Sequence, residues 1–544
     1  MEQGGFLFGN VFILDMLIIV VYFIFLLIVG IRFTKPENNN FDYFLAGGSL
    51  GWINIGFSIF AVTISSEHML VFTGAGAKYG IVVGWFTLML CLTSLLMAWF
   101  FTPRYYQSRV FTVPEFFGTR FSKSSRLFLT SYLLLINLII KISLSLFAGG
   151  LLLQLTLGWD FAISAFLVVF VAGIYSIAGG FRAIAKIDVF QAIVMILGMS
   201  VFAIVGLEKV GGLSILQTHV PSHLFSIVKP MNHPEFPWTG LLLGAPVIGI
   251  WHWCIDQFTV QRVLGSKSAA HAQKGVILAG FLNILPVFIF VVPGIFAMAL
   301  VSKTHLPQDA FPSLVASSIL PAGVKGMVVI SIFAALISTL ASCFNSSATL
   351  FTRDIFHYLN PDTHERELVL VGRLATTAVV IWSILLIPFI RYIQIEIHSL
   401  FFFIYAYITP PVVAVFLVGM LWKRSNSRGV LSALVIGTTI GLAQFVLVIL
   451  NYMGIVDSSG LAQIAEINLL HFAIMLFVFS AGIMVIISMI TESAAIVDLP
   501  ASISTIPSTD FVGRGLMNIK NNKINIGIST LLIIIIISIV IKFL

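Results

Sequence analysis

Charge is what this sequence has least of. Asp, Glu, Lys and Arg together make up 9% of its 544 residues, where a soluble globular domain carries about 25%. No polar stretch approaches the length of a soluble domain, so a separate water-exposed domain is excluded. Cysteine is almost as scarce. Cys91, Cys254 and Cys343 are the three present, all in apolar segments, which excludes a disulfide framework and a metal cluster. Nucleotide-binding loops and zinc-ligand spacings are missing as well. The run HERE at His364–Glu367 lacks the second histidine of a zinc protease motif. The first apolar run is long enough to span a bilayer and has no basic leader, so no cleavable signal is expected.

Apolar surface is what the chain has in excess. A hydrophobic share of 59% and a mean hydropathy of +1.07 describe an all-α polytopic membrane protein. Fourteen segments reach the roughly 20 residues that a bilayer needs. They lie near 11–32, 51–74, 80–102, 126–157, 160–177, 186–208, 238–260, 272–302, 325–352, 367–389, 396–421, 428–452, 468–490 and 524–543. An even number places both termini on one side. Twenty-one of the 29 Lys and Arg fall in the loops after odd-numbered spans and seven in the opposite set. Basic loops stay in the cytoplasm, so both termini are expected outside a plasma membrane, or the inner membrane of a bacterium. The net charge of +7 then reports topology rather than a nucleic-acid partner. The external loop Lys209–Trp238 is expected to help form an outer lid, and 491–523 to link to the last span.

Polar residues inside spans carry the functional information. Residues Phe60–His68 read FAVTISSEH and interrupt an apolar segment. A carboxylate such as Glu67 at the bilayer centre costs about 2.5–3.5 kcal/mol unless it meets a polar cavity or a partner. A helix broken here would expose carbonyls able to bind a cation. The same pattern also suits an ordinary span whose hydroxyls bond their own backbone. In the ninth span, Ala335, Ser338, Thr339 and Ser342 share a helical stripe, which fits helix packing or a neutral-oxygen cage for a hard cation. Asp256, Gln257, Gln261 and Arg262 approach the cytoplasmic end of the seventh span and read as an anchoring network. His252 lies deeper, as a cavity or packing residue. Asp188 follows a Gly179–Gly180 break, as a helix-end charge or an ion-coupling residue. Lys141 falls in mid-span and requires a partner that the sequence does not name.

With these residues in place, the chain resembles the solute:sodium symporter family, in its sodium/glucose cotransporter branch. The likeness rests on YFLAG at Tyr43–Gly47, TVPEFFGTRF at Thr112–Phe121, IYSIAGGFRAIAKIDVFQ at Ile174–Gln191 and WHWCIDQFTVQRVLGSKS at Trp251–Ser268. It continues with LPVFIFVVPG at Leu285–Gly294, NSSATLFTRDIF at Asn345–Phe356 and PPVVAVFLVGMLWKR at Pro410–Arg424. The motifs come in family order across roughly 40–430.

The resemblance implies a LeuT-like five-plus-five inverted-repeat core. An extra N-terminal helix and linker would occupy 1–50, the first repeat 51–208, an extracellular loop 209–237, the second repeat 238–421 and three accessory helices 422–544. It places a sodium site on the carbonyls of Ala61, Ile64 and Ala335 and the hydroxyls of Ser338 and Thr339, with Asp188 in sodium coupling. Ala341 stands where two-sodium members carry a further hydroxyl, so one sodium per cycle is expected. His68 matches the family's sugar-contacting histidine. Four pocket positions depart from the pattern: Thr87 for a glutamate, Asn283 for a lysine, His252 for the gating tyrosine, and Phe402 near a glutamine. Glu67 is expected in the cavity wall or a gate.

The expected function is therefore sodium-coupled import of a small polar solute, a sugar or polyol first, by alternating access. The same scaffold carrying sialic acid, an amino acid, a carboxylate, a vitamin or an anion is the alternative. No arginine lies deep in a span to grip a carboxylate, which disfavours strongly acidic solutes. A transporter-like sensor would append a signalling domain, and a membrane enzyme would show a nucleophile with its base or a metal cluster; the sequence shows none of these.

Overall fold

The computed structural model describes residues 6–8, 11–33, 39–301, 309–317, 319–391, 404–456, 459–491 and 523–544. Apart from a two-stranded antiparallel ribbon of Phe6–Phe8 with Val11–Phe12, the described regular structure is helical. That follows from the composition, because backbone amides in hydrocarbon have no water to bond and a helix satisfies them within its own segment.

The principal helices are α1 (Ile13–Phe33), α2 (Trp52–Thr63), α3 (Ser66–Tyr79), α4 (Val82–Ser108), α5 (Lys123–Leu157) and α6 (Phe161–Val210). They continue as α7 (Trp238–Ile255), α8 (Gln257–Leu264), α9 (Ala269–Leu300), α10 (Val324–Leu359) and α11 (Glu365–Ile390). The last are α12 (Pro410–Leu421), α13 (Ser427–Tyr452), α14 (Leu469–Ile490) and α15 (Lys523–Lys542). Among the described residues eleven helices are long and apolar enough to cross a membrane, or twelve with the bent pair α2 and α3 as one span. The count of fourteen is thus not reached by length and apolarity alone. Two features account for the difference. The 50-residue α6 covers the expected fifth and sixth spans. At 1.5 Å per residue it is about 75 Å long, more than twice a hydrocarbon core of about 30 Å. It also leaves helical geometry at Gly180, with φ 53° and ψ −162°. The other is α12, only 12 residues long, because 392–403 of the expected eleventh span lie outside the described residues, as does most of the 491–523 linker.

α10 is the central helix, buried along nearly all of Val324–Leu350 and packed most extensively on α6. Peripheral helices turn residues such as Ile24, Leu385, Val446 and Ile537 outward, as lipid contact requires. Asp15 on α1 is fully buried and clasps the start of α10. Its Oδ1 accepts the amides of Gly323 at 2.8 Å and Gly326 at 2.7 Å, donors that a helix start otherwise leaves unpaired.

Two helices are broken where polar residues interrupt them. α2 and α3 meet at a 63° bend, with Ile64 and Ser65 in extended geometry between them. α7 ends in a π-helical turn at Trp251–Ile255 and α8 starts after Asp256, whose backbone is extended. Beyond its break α3 lies against α9 with almost nothing between the main chains. A Cβ on Gly76 would stand 2.4 Å from the Val291 carbonyl oxygen, and one on Gly294 2.0 Å from that of Thr73.

Candidate functional site

The bend between α2 and α3 frees a specific carbonyl. In an unbroken helix the Ala61 oxygen would accept from the amide of residue 65. Here the Ser65 amide points instead to His68 Nδ1, at 3.4 Å, and Ala61 O accepts from Ser338 Oγ of α10 at 2.8 Å. The same hydroxyl lies 3.2 Å from Ala335 O. Three of the five expected sodium-binding atoms are therefore together. The fourth, Thr339 Oγ1, is buried with no hydrogen-bond partner. The fifth residue, Ile64, is buried at the bend itself. Such a set of neutral oxygens suits a small hard cation.

Beside it runs an ion-paired network. Asp188 Oδ2 accepts from Arg262 Nη2 at 2.7 Å and from Ser58 Oγ at 2.5 Å. Arg262 also reaches Ser58 Oγ at 2.6 Å and Ser342 Oγ at 2.7 Å. Asp188, Ser58 and Arg262 are essentially unexposed, and Asp188 Oδ1 has no partner. Arg262, in the last turn of α8, is thus buried within the protein and committed to Asp188. Ser338, Thr339 and Ser342 on α10 connect this network to the bend.

A cavity opens beside the bend, with Thr339 in its lining. Glu67, His68, Lys141, His252, Asp256 and Tyr405 supply its polar wall. Glu67 is held by Ser145 Oγ of α5 at 3.2 Å. Ser65 Oγ lies 2.8 Å from His68 Nδ1. With that nitrogen accepting from the Ser65 amide, the neutral ring carries its proton on Nε2 as a donor. His68 also sets its ring edge-on to Phe72, centroids 5.0 Å apart. Lys141 finds its partner in Asp256 at the α7–α8 break, at 2.5 Å, with both side chains nearly unexposed. Its ammonium sits 3.5 Å from the centroid of the Phe258 ring.

Two expected solute residues fall outside this wall. Thr87 turns its hydroxyl back to the Val83 carbonyl of its own helix at 3.5 Å. Asn283 sits behind Thr63, accepting from that hydroxyl at 3.0 Å and donating to Ala279 O at 2.8 Å. Phe402 lies outside the described residues. Tyr405, three residues later in the chain, lines the cavity and was not anticipated. The loop between α6 and α7 also reaches it, through Glu235 and Phe236. There Phe236 packs edge-on against Tyr79 with centroids 5.3 Å apart, and Asn468 Nδ2 donates to Pro234 O at 2.6 Å.

The sequence profile of the Sodium:solute symporter family matches residues 43–437. The sodium/glucose cotransporter 4 of Danio rerio is 32% identical over 519 residues, covering 88% of this chain and 78% of that one. The sodium/myo-inositol cotransporter of Mus musculus is 31% identical over 528 residues, covering 88% and 73%. The substrate-bound, outward-open structure of a sodium-coupled sialic acid symporter shares the fold. It superposes with a TM-score of 0.75 at 20% identity, over 89% of this chain and 99% of that one.

Proposed function

The chain belongs to the Sodium:solute symporter family, a family of transporters rather than enzymes, and from that premise we propose that it couples inward sodium movement to import of a sugar or polyol. One observation carries the reading. The Ser338–Ala61 hydrogen bond ties α10 to the α2–α3 bend, one helical turn from the Glu67 and His68 wall of the cavity. A cation taken up by Ala61, Ile64, Ala335, Ser338 and Thr339 would hold α2 to α10 and fix the helix end that presents His68 to solute. Sodium affinity and solute affinity then rise together, by the same factor in each direction. A potential of 100 mV adds about 2.3 kcal/mol per sodium to its concentration gradient.

The cavity chemistry favours a neutral polyhydroxyl solute. Glu67 accepts, the neutral His68 donates, and the tyrosine hydroxyl of Tyr405 does either. Lys141, the cation in the wall, is already neutralised by Asp256, so a carboxylate would find no unpaired cation among the described lining residues. Ala341 in place of a further hydroxyl supports one sodium per cycle. Asp188, with one carboxylate oxygen unpartnered, is read as the next station for the ion on its inward path.

Further parts of the reading concern topology. Counting α6 as two spans and including the residues before α12 gives fourteen, with both termini extracytoplasmic in the cell membrane. The repeats would be 51–208 and 238–421, and the breaks at Ile64–Ser65 and at Asp256 fall in the first helix of each, which supports the pairing. The accessory segments 1–50 and 422–544 and the 209–237 lid complete the division. Uptake into proteoliposomes under an imposed sodium gradient, screened over sugars, polyols and carboxylates, tests the proposal. Accumulation of a sugar or polyol that vanishes without sodium supports it; sodium-independent solute affinity overturns it.

A further inference from the structure

Two of the motifs behind the family resemblance, Thr112–Phe121 and Asn345–Phe356, supply no residue to the cavity lining. They meet instead at the break between α7 and α8. Thr112 caps a short helix, Val113–Arg120, by accepting the Glu115 amide at 3.1 Å. Its hydroxyl donates to Asp354 Oδ1 at 2.9 Å, and Arg126 Nε of α5 donates to the same oxygen at 2.7 Å. Asp354 is fully buried in the π-helical turn Phe351–Phe356 of α10, a kind of turn that recurs at functional sites. Arg353 of the same turn stands 3.9 Å from the centroid of the Phe111 ring. Charged groups therefore fasten the strap 111–120 to α10.

The strap's other edge is held differently. Gln257, the first residue of α8, accepts the Val113 amide at 2.8 Å and donates to Phe111 O at 3.2 Å. Both bonds join neutral amides. Such bonds contribute little net stability, because water replaces them when they open, so this edge can part and reclose. Gln257 is fully buried, between Asp256 and Phe258 of the cavity lining without belonging to it. Glu235 and Phe236, just before α7, line the same cavity. α7 runs from them to the break, so the strap lies at the opposite end of the cavity.

α8 is also tied to the candidate sodium site. Arg262 Nε donates to Ser58 Oγ of α2 at 2.6 Å, and α2 meets α10 through Ala61 and Ser338. A cation that holds α2 to α10 therefore draws α8 toward the strap that α10 carries. We propose that the strap 111–120 is a gate at this end of the cavity, anchored on Asp354 and released from α8 at Gln257 once sodium has left. The proposal rests on the sodium-site reading above, and its test separates the two.

Thiol labelling of the purified full-length protein is that test. Val113, fully buried beside Gln257, is changed by Val113→Cys. Labelling of that position by N-ethylmaleimide is followed by peptide mass spectrometry, in sodium chloride and in choline chloride. Sodium is expected to slow labelling about tenfold, within the usual range of coupling between two sites. Gln257→Leu removes both amide bonds and is expected to speed labelling in choline about tenfold, with sodium still slowing it. The sodium response is what a merely structural joint would lack. Melting in the two salts reports sodium binding independently. If sodium raises the melting temperature but leaves labelling unchanged, or if Gln257→Leu labels like its parent, the gate is overturned and the sodium site stands. If sodium changes neither melting nor labelling, the sodium site falls and the gate falls with it.

Discussion

Lys141 Nζ lies 2.6 Å from Oδ1 and 2.5 Å from Oδ2 of Asp256, so one ammonium grips both oxygens of the carboxylate at the α7–α8 break. Each partner is the reason the other is tolerated. Removing one charge from a buried pair typically costs about 3–5 kcal/mol, whereas replacing both with apolar groups is far milder. Asp256→Leu is therefore expected to lower the melting temperature of the purified protein sharply. Adding Lys141→Met to Asp256→Leu should recover most of that loss. Equal melting of the single and double variants would show that the pair carries no coupling.

Ser338→Ala with Thr339→Ala removes two hydroxyls from the candidate sodium site. Losing a hydrogen-bond-class contact to a charge is worth about 1.5–3 kcal/mol. The sodium concentration for half-maximal uptake should rise at least about tenfold, with the protein still folded. Unchanged sodium dependence would move the site elsewhere.

His68→Phe keeps the ring contact with Phe72 and loses the imidazole donor. About 1–1.5 kcal/mol is at stake, or about tenfold in the solute KM. Sodium dependence at saturating solute should stay near wild type, which separates the solute contact from the ion site.

Asp15→Ala strips the acceptor from the Gly323 and Gly326 amides. Two buried donors without a partner cost about 1–3 kcal/mol each, and the clasp between α1 and α10 is lost with them. Asp15→Asn retains one acceptor oxygen and should melt between the wild type and Asp15→Ala. Identical melting of all three would deny the clasp any role in stability.

His233 in the loop between α6 and α7 accepts the amides of Glu235 at 3.2 Å and Phe236 at 3.0 Å. Its burial, then the nearby Lys229 charge, hold it below the ordinary histidine value, against an opposing pull from Glu235. A depressed value means the opened loop binds more protons than the folded one. The turn is thus firm at neutral pH and weakens as pH falls through the ordinary value of about 6.5. Hydrogen-exchange protection of the Glu235 and Phe236 amides should drop over that range, and His233→Asn should flatten the profile.

The sequence made some of this visible and concealed the rest, for identifiable reasons. Phe60–His68 offered a break as one of two readings, because a run of polar side chains is costly in lipid, and α2 and α3 do part within that run. The stripe at Ser338 and Thr339 was visible because helical spacing alone aligns it. The partner of Lys141 was not, since Asp256 is 115 residues away and only packing brings them together. The partners of Arg262 were hidden for the same reason, since Ser58, Asp188 and Ser342 come from α2, α6 and α10. Thr87 lies on a helix that borders the cavity through Val83, Phe86 and Leu90, yet its hydroxyl bonds elsewhere. That is a matter of a fraction of a turn, finer than sequence spacing resolves.

The glycine seam between α3 and α9 has a mechanical meaning. With Gly76 and Gly294 bringing two main chains into direct touch, no layer of side chains is available to shear. The half-helix that carries Glu67 and His68 is bolted to α9, while α2 is tied to α10 and α6 through Ala61 and Ser58. The Ile64–Ser65 bend is then the joint between two rigid limbs, and the carbonyl through which α10 reaches α2 lies within one turn of that pivot.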